Sequence, residues 1–264
     1  MMQRILVPLD GSRPSEGILG PVVALAKAWN AELTLFHAVS PSEYFSATAA
    51  RYAREERERS GDYLRRLAER LGREGISARE EVGTGDAPRE IAEEARRARA
   101  DLIALCSHVR SGLRDWPFGS VAERLLRSTR TPVLLLREGQ LWGPMVRKIL
   151  VVLDGSEESL ETLPPVLDVA TSMGAAVTLV AAGDRLPPTV PVARKMLLAH
   201  HVPFATQLLA GDPVAAVLAA VHREHADLVA LTTAGNGDSS ARAAEEILKR
   251  CDRPLLVLHT GRIS

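Results

Sequence analysis

Short apolar runs alternate with longer segments of helical periodicity along the whole chain. Residues 4–9, 32–38, 77–82, 101–107 and 132–137 read as strands, most of them apolar on both faces as buried parallel strands are. Between them, residues 15–29, 49–73, 87–98 and 120–129 carry apolar positions at helical spacing. The second half repeats the pattern. Its strands fall at 148–153, 176–182, 203–209, 227–233 and 254–259, and its helices near 157–173, 190–201, 213–224 and 241–250. Strands separated by helices call for right-handed crossovers and a parallel sheet. The prediction is an α/β protein of two tandem, doubly wound, five-stranded domains of flavodoxin-like or Rossmann-like type.

The repetition extends to the residues themselves. Arg4-Ile5-Leu6-Val7-Pro8-Leu9-Asp10-Gly11-Ser12 returns as Lys148-Ile149-Leu150-Val151-Val152-Leu153-Asp154-Gly155-Ser156. Ala100-Asp101-Leu102-Ile103-Ala104-Leu105 returns as Ala226-Asp227-Leu228-Val229-Ala230-Leu231. Expected domains are 1–138 and 145–264, joined by a Gly- and Pro-punctuated linker around Trp142. The offset between copies is 144 residues at the first strand, 126 at the fourth and 122 at the fifth. The second copy has therefore lost eighteen residues before its fourth strand and four after it. The larger loss falls where the first copy carries the charged stretch Arg51–Arg59, which continues to Arg73 with apolar marks at Tyr63, Leu64, Leu67 and Leu71. That stretch reads as a long helix with one core stripe and a solvated face; a lid or partner-binding arm is the alternative.

Composition narrows the class. Apolar residues make up 46% and aromatic residues only 4%, so the cores are expected to be Val, Leu, Ile and Ala. Lys and Arg together number 33, as do Asp and Glu, giving no net attraction to nucleic acid or an anionic membrane. The two cysteines, Cys106 and Cys251, have no metal-ligand spacing and suit a reducing compartment. With no secretory pattern and no apolar run of spanning length, a soluble cytoplasmic protein is expected.

Ligands of open parallel sheets sit outside the carboxyl ends of the strands. After the fourth strand the chain reads Cys106-Ser107-His108-Val109-Arg110, and then reaches Gly119-Ser120-Val121-Ala122-Glu123 at the start of a helix. Ser120 and Glu123 have capping-box spacing. Gly119 permits close backbone approach, and the free amides of the first turn attract an anion. No nucleophile elbow, Walker motif or HExxH motif is present. Cys106 reads as a packing residue, and His37 as a satisfied strand-end histidine. His200, His201, His222 and His225 read as helix surface rather than a metal site.

Taken in order, Asp10-Gly11-Ser12, Phe36-His37-Ala38, Gly83-Thr84-Gly85-Asp86 and the Ser107 to Arg124 stretch resemble the universal stress protein family in its tandem form. The resemblance covers nearly the whole chain. It implies an adenine-nucleotide site in the first domain, taking ATP with or without Mg2+, formed by Pro8, Asp10, Ala38, Ser107, His108, Val109, Arg110, Gly119, Ser120 and Val121. Asp10 would meet the ribose or adenine side; capping its own turn is its alternative role. The family's ATP-binding pattern is Gly, two residues, Gly, nine residues, then Gly-Ser or Gly-Thr. Here the spacing and Gly119-Ser120 are kept, but Cys106 and Val109 replace the leading glycines, and Arg110 offers a cationic substitute. In the second copy Gly235 stands at the place of Val109, the loop is four residues shorter, and Ala241-Arg242 replace Gly119-Ser120. That copy is expected to be structural or regulatory.

The resemblance further implies stress-response regulation through ligand-dependent conformation or partner binding. It also implies a pseudo-dimer within one chain through the apolar last strands, and assembly of chains into homo-oligomers. A slow ATP hydrolase or adenylate-transferring enzyme, and a structural tandem without ligand, remain the alternatives. No acid–base or metal constellation is found in the sequence, which favours binding over turnover.

Overall fold

The computed structural model describes residues 1–40, 47–107, 119–140, 142, 145–233 and 239–261. Five strands come from each half of the sequence: β1 Arg4–Pro8, β2 Glu32–Val39, β3 Ala78–Thr84, β4 Leu102–Ser107 and β5 Val133–Arg137, then β6 Lys148–Val152, β7 Ala176–Ala182, β8 Phe204–Leu209, β9 Leu228–Thr233 and β10 Leu255–His259. The chain divides into two compact units, Met1–Thr131 with Arg137–Gly139, and Pro132–Leu136 with Gln140–Ser264.

In the first unit the strand order is β3-β2-β1-β4. The chain steps outward from β1 to β3 and then returns to the other side of β1 with β4. The sheet thus has its topological switch between β1 and β4. All of these pairings are parallel. The connecting helices are α1 Arg13–Glu16, α2 Leu19–Trp29, α3 Ala47–Arg73, α4 Ala87–Arg97 and α5 Gly119–Ser128. In the second unit the order is β5-β10-β9-β6-β7-β8, again with the switch beside the first strand of the repeat, between β6 and β9. There β5 lies antiparallel to β10, with Leu134 opposite Leu256. The helices of this unit are α6 Leu163–Met173, α7 Thr189–Ala199, α8 Pro213–Arg223 and α9 Ser239–Arg250.

One expected helix is broken in both copies. Residues 15–29 form two pieces, α1 and α2, and residues 157–173 form a 3-10 turn over Glu158–Thr162 followed by α6. Pro21 and Pro165 occupy equivalent positions. Proline has no N–H to donate to the carbonyl four residues back, so no continuous α-helix can run through the first turn.

Helix α3 buries Leu64, Leu67 and Leu71 against β2 and β3. Its outer face carries exposed pairs such as Arg51–Glu55 (3.1 Å) and Arg54–Glu58 (3.3 Å), each contributing only tenths of a kcal/mol. The expected core stripe is therefore present. The deletion in the second copy falls on its counterpart: α7 has 11 residues where α3 has 27. At the edge of the first unit, β3 presents Arg79, Glu80 and Glu81, charges that suit an unpaired edge.

The Ala-Asp repeat has a structural purpose. One carboxylate oxygen of Asp101 accepts from the amides of Gln3 (2.8 Å) and Arg4 (3.0 Å). Asp227 holds Arg147 and Lys148 at the same two distances. Each aspartate anchors the start of the first strand of its unit to the start of the fourth. Replacing Asp101 or Asp227 with Ala should destabilise the protein by about 1 kcal/mol for the lost charge-assisted bonds. Urea denaturation reads this directly, and an unchanged midpoint would refute the anchoring role.

Candidate functional site

The switch between β1 and β4 gathers the carboxyl ends of three strands. Ile5 lies opposite Leu102 and Leu6 opposite Ile103, and continuing that register brings Asp10 level with Ser107. On the other side Pro8 lies opposite Phe36, which places Ala38 level with Asp10. Pro8, Asp10, Ala38 and Ser107 thus share one end of the sheet. Gly119 opens α5 with φ +69°, in the left-handed region. A β-branched residue could not take that conformation without strain. Ser120 and Val121 follow in the first turn of α5, where Val121 is exposed. The predicted site residues His108, Val109 and Arg110 lie outside the described residues.

Asp10 is already engaged. Its Oδ1 accepts from the Ser12 amide (3.0 Å) and the Ser12 hydroxyl, and Ser12 in turn accepts from the Ser15 amide at the start of α1. The turn-capping role is therefore real. Asp154, Ser156 and Ser159 repeat the arrangement in the second unit. Ser107 differs from its counterpart. Its Oγ is buried and, among the described residues, has no hydrogen-bond partner. In the second copy the equivalent Thr233 places its hydroxyl against His259 Nδ1 (3.2 Å).

The glycine stretch before α4 is constrained by close packing. A Cβ on Gly83 would lie 2.7 Å from the Phe36 ring, so only glycine fits beneath it. Asp86, which precedes α4, receives both guanidinium nitrogens of Arg124 at 2.8 and 2.7 Å. This paired contact ties the start of α4 to α5, the helix that Gly119 opens. Glu123 bonds forward to Arg127 (3.4 Å), a helix-surface pair. The sequence motifs contained Asp86 and Arg124 separately but gave no sign that they meet.

Nearby titrating groups follow from burial. The Cys106 thiol is pushed up to about 11 by desolvation, with Glu138 adding to it, so it remains a protonated packing group. The Tyr63 hydroxyl donates to Glu16 (3.0 Å), tying α3 to α1, and burial with that carboxylate holds the phenol far above its usual range. His37 meets the sequence expectation of a satisfied histidine only in part: its ring bonds to the Leu9 backbone, but its Nδ1 is buried without a partner among the described residues. Desolvation lowers its pKa, against smaller raising effects from the Leu9 backbone, Asp10 and Glu56. The other histidines singled out in the sequence, His200, His201, His222 and His225, are all exposed.

Comparison with known proteins bears on the family and the fold. The model of the universal stress protein family matches residues 1–137. A universal stress protein of Bacillus subtilis is 30% identical over 150 residues, covering 52% of this chain and all of that protein. One from Methanocaldococcus jannaschii is 27% identical over 145 residues, covering 52% of this chain and 84% of the relative. The crystal structure of a universal stress protein from Archaeoglobus fulgidus shares the fold over 97% of this chain and 96% of its own, with a TM-score of 0.78 at 20% identity. Among the described residues no helix is long and apolar enough to cross a membrane.

The lowered pKa of His37 has a direction that can be tested. The folded state disfavours the charged ring, so near the ordinary histidine value of about 6.5 the unfolded chain binds more protons. Stability contributed by His37 is complete above that pH and is lost as the pH falls through it. Thermal melts should show a falling midpoint between about pH 7 and 5, and His37→Gln should flatten that slope. An identical slope in the variant would remove His37 as the cause.

Proposed function

The chain belongs to the universal stress protein family, and on that premise we propose that its first domain binds an adenine nucleotide, ATP with or without Mg2+. Binding would act through conformation or partner recognition rather than turnover. The observation that carries this reading is the buried Ser107 hydroxyl at the switch point, level with Asp10 and Ala38 and without a partner among the described residues. A buried hydroxyl without a partner destabilises the fold unless a ligand or water completes it. Gly119, with its positive φ, supports the reading as well, because it begins a helix whose free amides suit a phosphate. Arg124, fastened to Asp86, would hold that helix in place as a phosphate arrives. The same premise makes this a stress-response protein. Its two free, buried cysteines suit the cytoplasm.

The nucleotide role is assigned to the first domain alone. In the second, Ala241-Arg242 replace Gly119-Ser120, and the hydroxyl at the switch is already satisfied by its own fold.

Calorimetry of the full chain with ATP should give one nucleotide per chain. Gly119→Val should abolish binding at concentrations that saturate the natural chain, since the side chain blocks approach and strains the backbone by on the order of 1–3 kcal/mol. The melting temperature of the variant, measured without ligand, separates lost binding from lost folding. Unchanged affinity in a folded Gly119→Val protein would refute the placement, and two equivalent sites per chain would refute the asymmetry.

A further inference from the structure

The second domain is not merely a worn copy of the first. At its own switch point, between the carboxyl ends of β6 and β9 and the facing sides of α8 and α9, lies a cavity of about 160 Å3. Its depth is aliphatic: Leu153, Val217, Leu231, Ala244 and Ile247 line it and are buried. Its polar lining comes from Asp154, Thr232 and Ser240, and Asp154 is exposed at the mouth. The pocket opens to solvent at Asp154, and its volume is comparable to the buried aliphatic cavity of about 150 Å3 that accepts benzene.

We propose that this cavity is a binding site for a compact, single-ring ligand with an apolar body and one hydrogen-bond donor, such as an amine, directed at Asp154. The size argues for one ring. The aliphatic depth argues for an apolar body, because burying polar atoms there without partners is unfavourable. The head group follows from Asp154. Both hydrogen bonds that this carboxylate receives go to Oδ1, from the Ser156 amide and hydroxyl, and among the described residues Oδ2 receives none. A carboxylate oxygen at the mouth attracts a donor or a cation and repels an anion.

Comparison of the copies shows where the two domains differ around this cavity. Val121 of α5 corresponds to Ala243 of α9, which lines the cavity, and Cys106 at the end of β4 corresponds to Thr232. At the helix, Ala243 is smaller than Val121 and lines the cavity, while the loop is four residues shorter and Ala241-Arg242 stand where Gly119-Ser120 would offer a phosphate cradle. Arg242 is absent from the lining, so it gives an anion no purchase inside. The two domains would then read ligands of opposite character, a phosphate-bearing one and a donor-bearing apolar one. This inference stands apart from the nucleotide reading and does not depend on it.

The test uses the full-length chain with labelled methyl groups, observed by NMR and titrated with benzylamine, benzene and benzoate. Benzylamine and benzene should shift the methyls of Val217, Leu231 and Ile247 saturably and compete with one another. Benzylamine should bind about tenfold more tightly than benzoate, and Asp154→Asn should remove most of that difference. Ala243→Leu should fill the cavity and abolish both binding events. If that variant does not fold, the competition in the natural chain still decides. No saturable shift of these methyls, failure of benzene to displace benzylamine, or equal affinity for benzoate would each overturn the proposal. So would ATP shifting the same methyls at the stoichiometry of its calorimetric site. Nucleotide binding to the first domain, measured separately, is unaffected by any of these outcomes.

Discussion

The anchoring of the first strand to the fourth by one aspartate governs much else. Strand β1 has only five residues, and two register positions, Ile5 with Leu102 and Leu6 with Ile103, tie it to β4. A parallel pair that short has little to fix its alignment, since a slip of one residue turns every side chain to the other face. Asp101 fixes the start by accepting from two adjacent amides. Everything at the far end is then determined by counting: Pro8, Asp10 and Ser107 arrive at the same edge because each strand leaves from a set position. The site is a consequence of alignment made at the opposite end of the sheet.

Much of this was legible in the sequence, and for identifiable reasons. The strands were visible because buried parallel strands are apolar on both faces, and Leu102-Ile103-Ala104-Leu105 has no other natural place. The Asp-Gly-Ser turns were visible because their side chains bond to their own backbone, a local rule. The break after α1 was also written in the chain, as Pro21 and Pro165, but apolar periodicity runs straight through it and conceals it. The Arg124–Asp86 contact was hidden, because residues 38 apart on a helix and a turn carry no local mark of meeting. The partnerless Nδ1 of His37 was hidden as well, since it depends on which neighbours reach it. The cavity in the second domain was hidden for a different reason: small residues in α9 look like erosion until the wall opposite them is seen.

The two copies have diverged around one hydroxyl. At the end of the fourth strand the first copy buries Ser107 with no partner among the described residues, and the second pairs Thr233 with His259. An unsatisfied buried polar group lowers stability, and folds retain such groups chiefly where they work. In the second copy this position is satisfied within the fold, and an aliphatic-lined cavity lies beside it. The same scaffold thus presents a different balance of polar and apolar surface at its two switch points.

Strand β5 carries a consequence for any division of the chain. Its sequence belongs to the first repeat, yet Pro132–Leu136 pack within the second unit, while Arg137–Gly139 return to the first. A gene cut at the repeat boundary would leave the second unit without a strand that covers the edge of β10, exposing the backbone of Leu255, Leu256 and Val257. The second repeat expressed alone would therefore carry a bare apolar edge, and bare edges invite pairing with other chains. Joining the repeats thus also protects against aggregation.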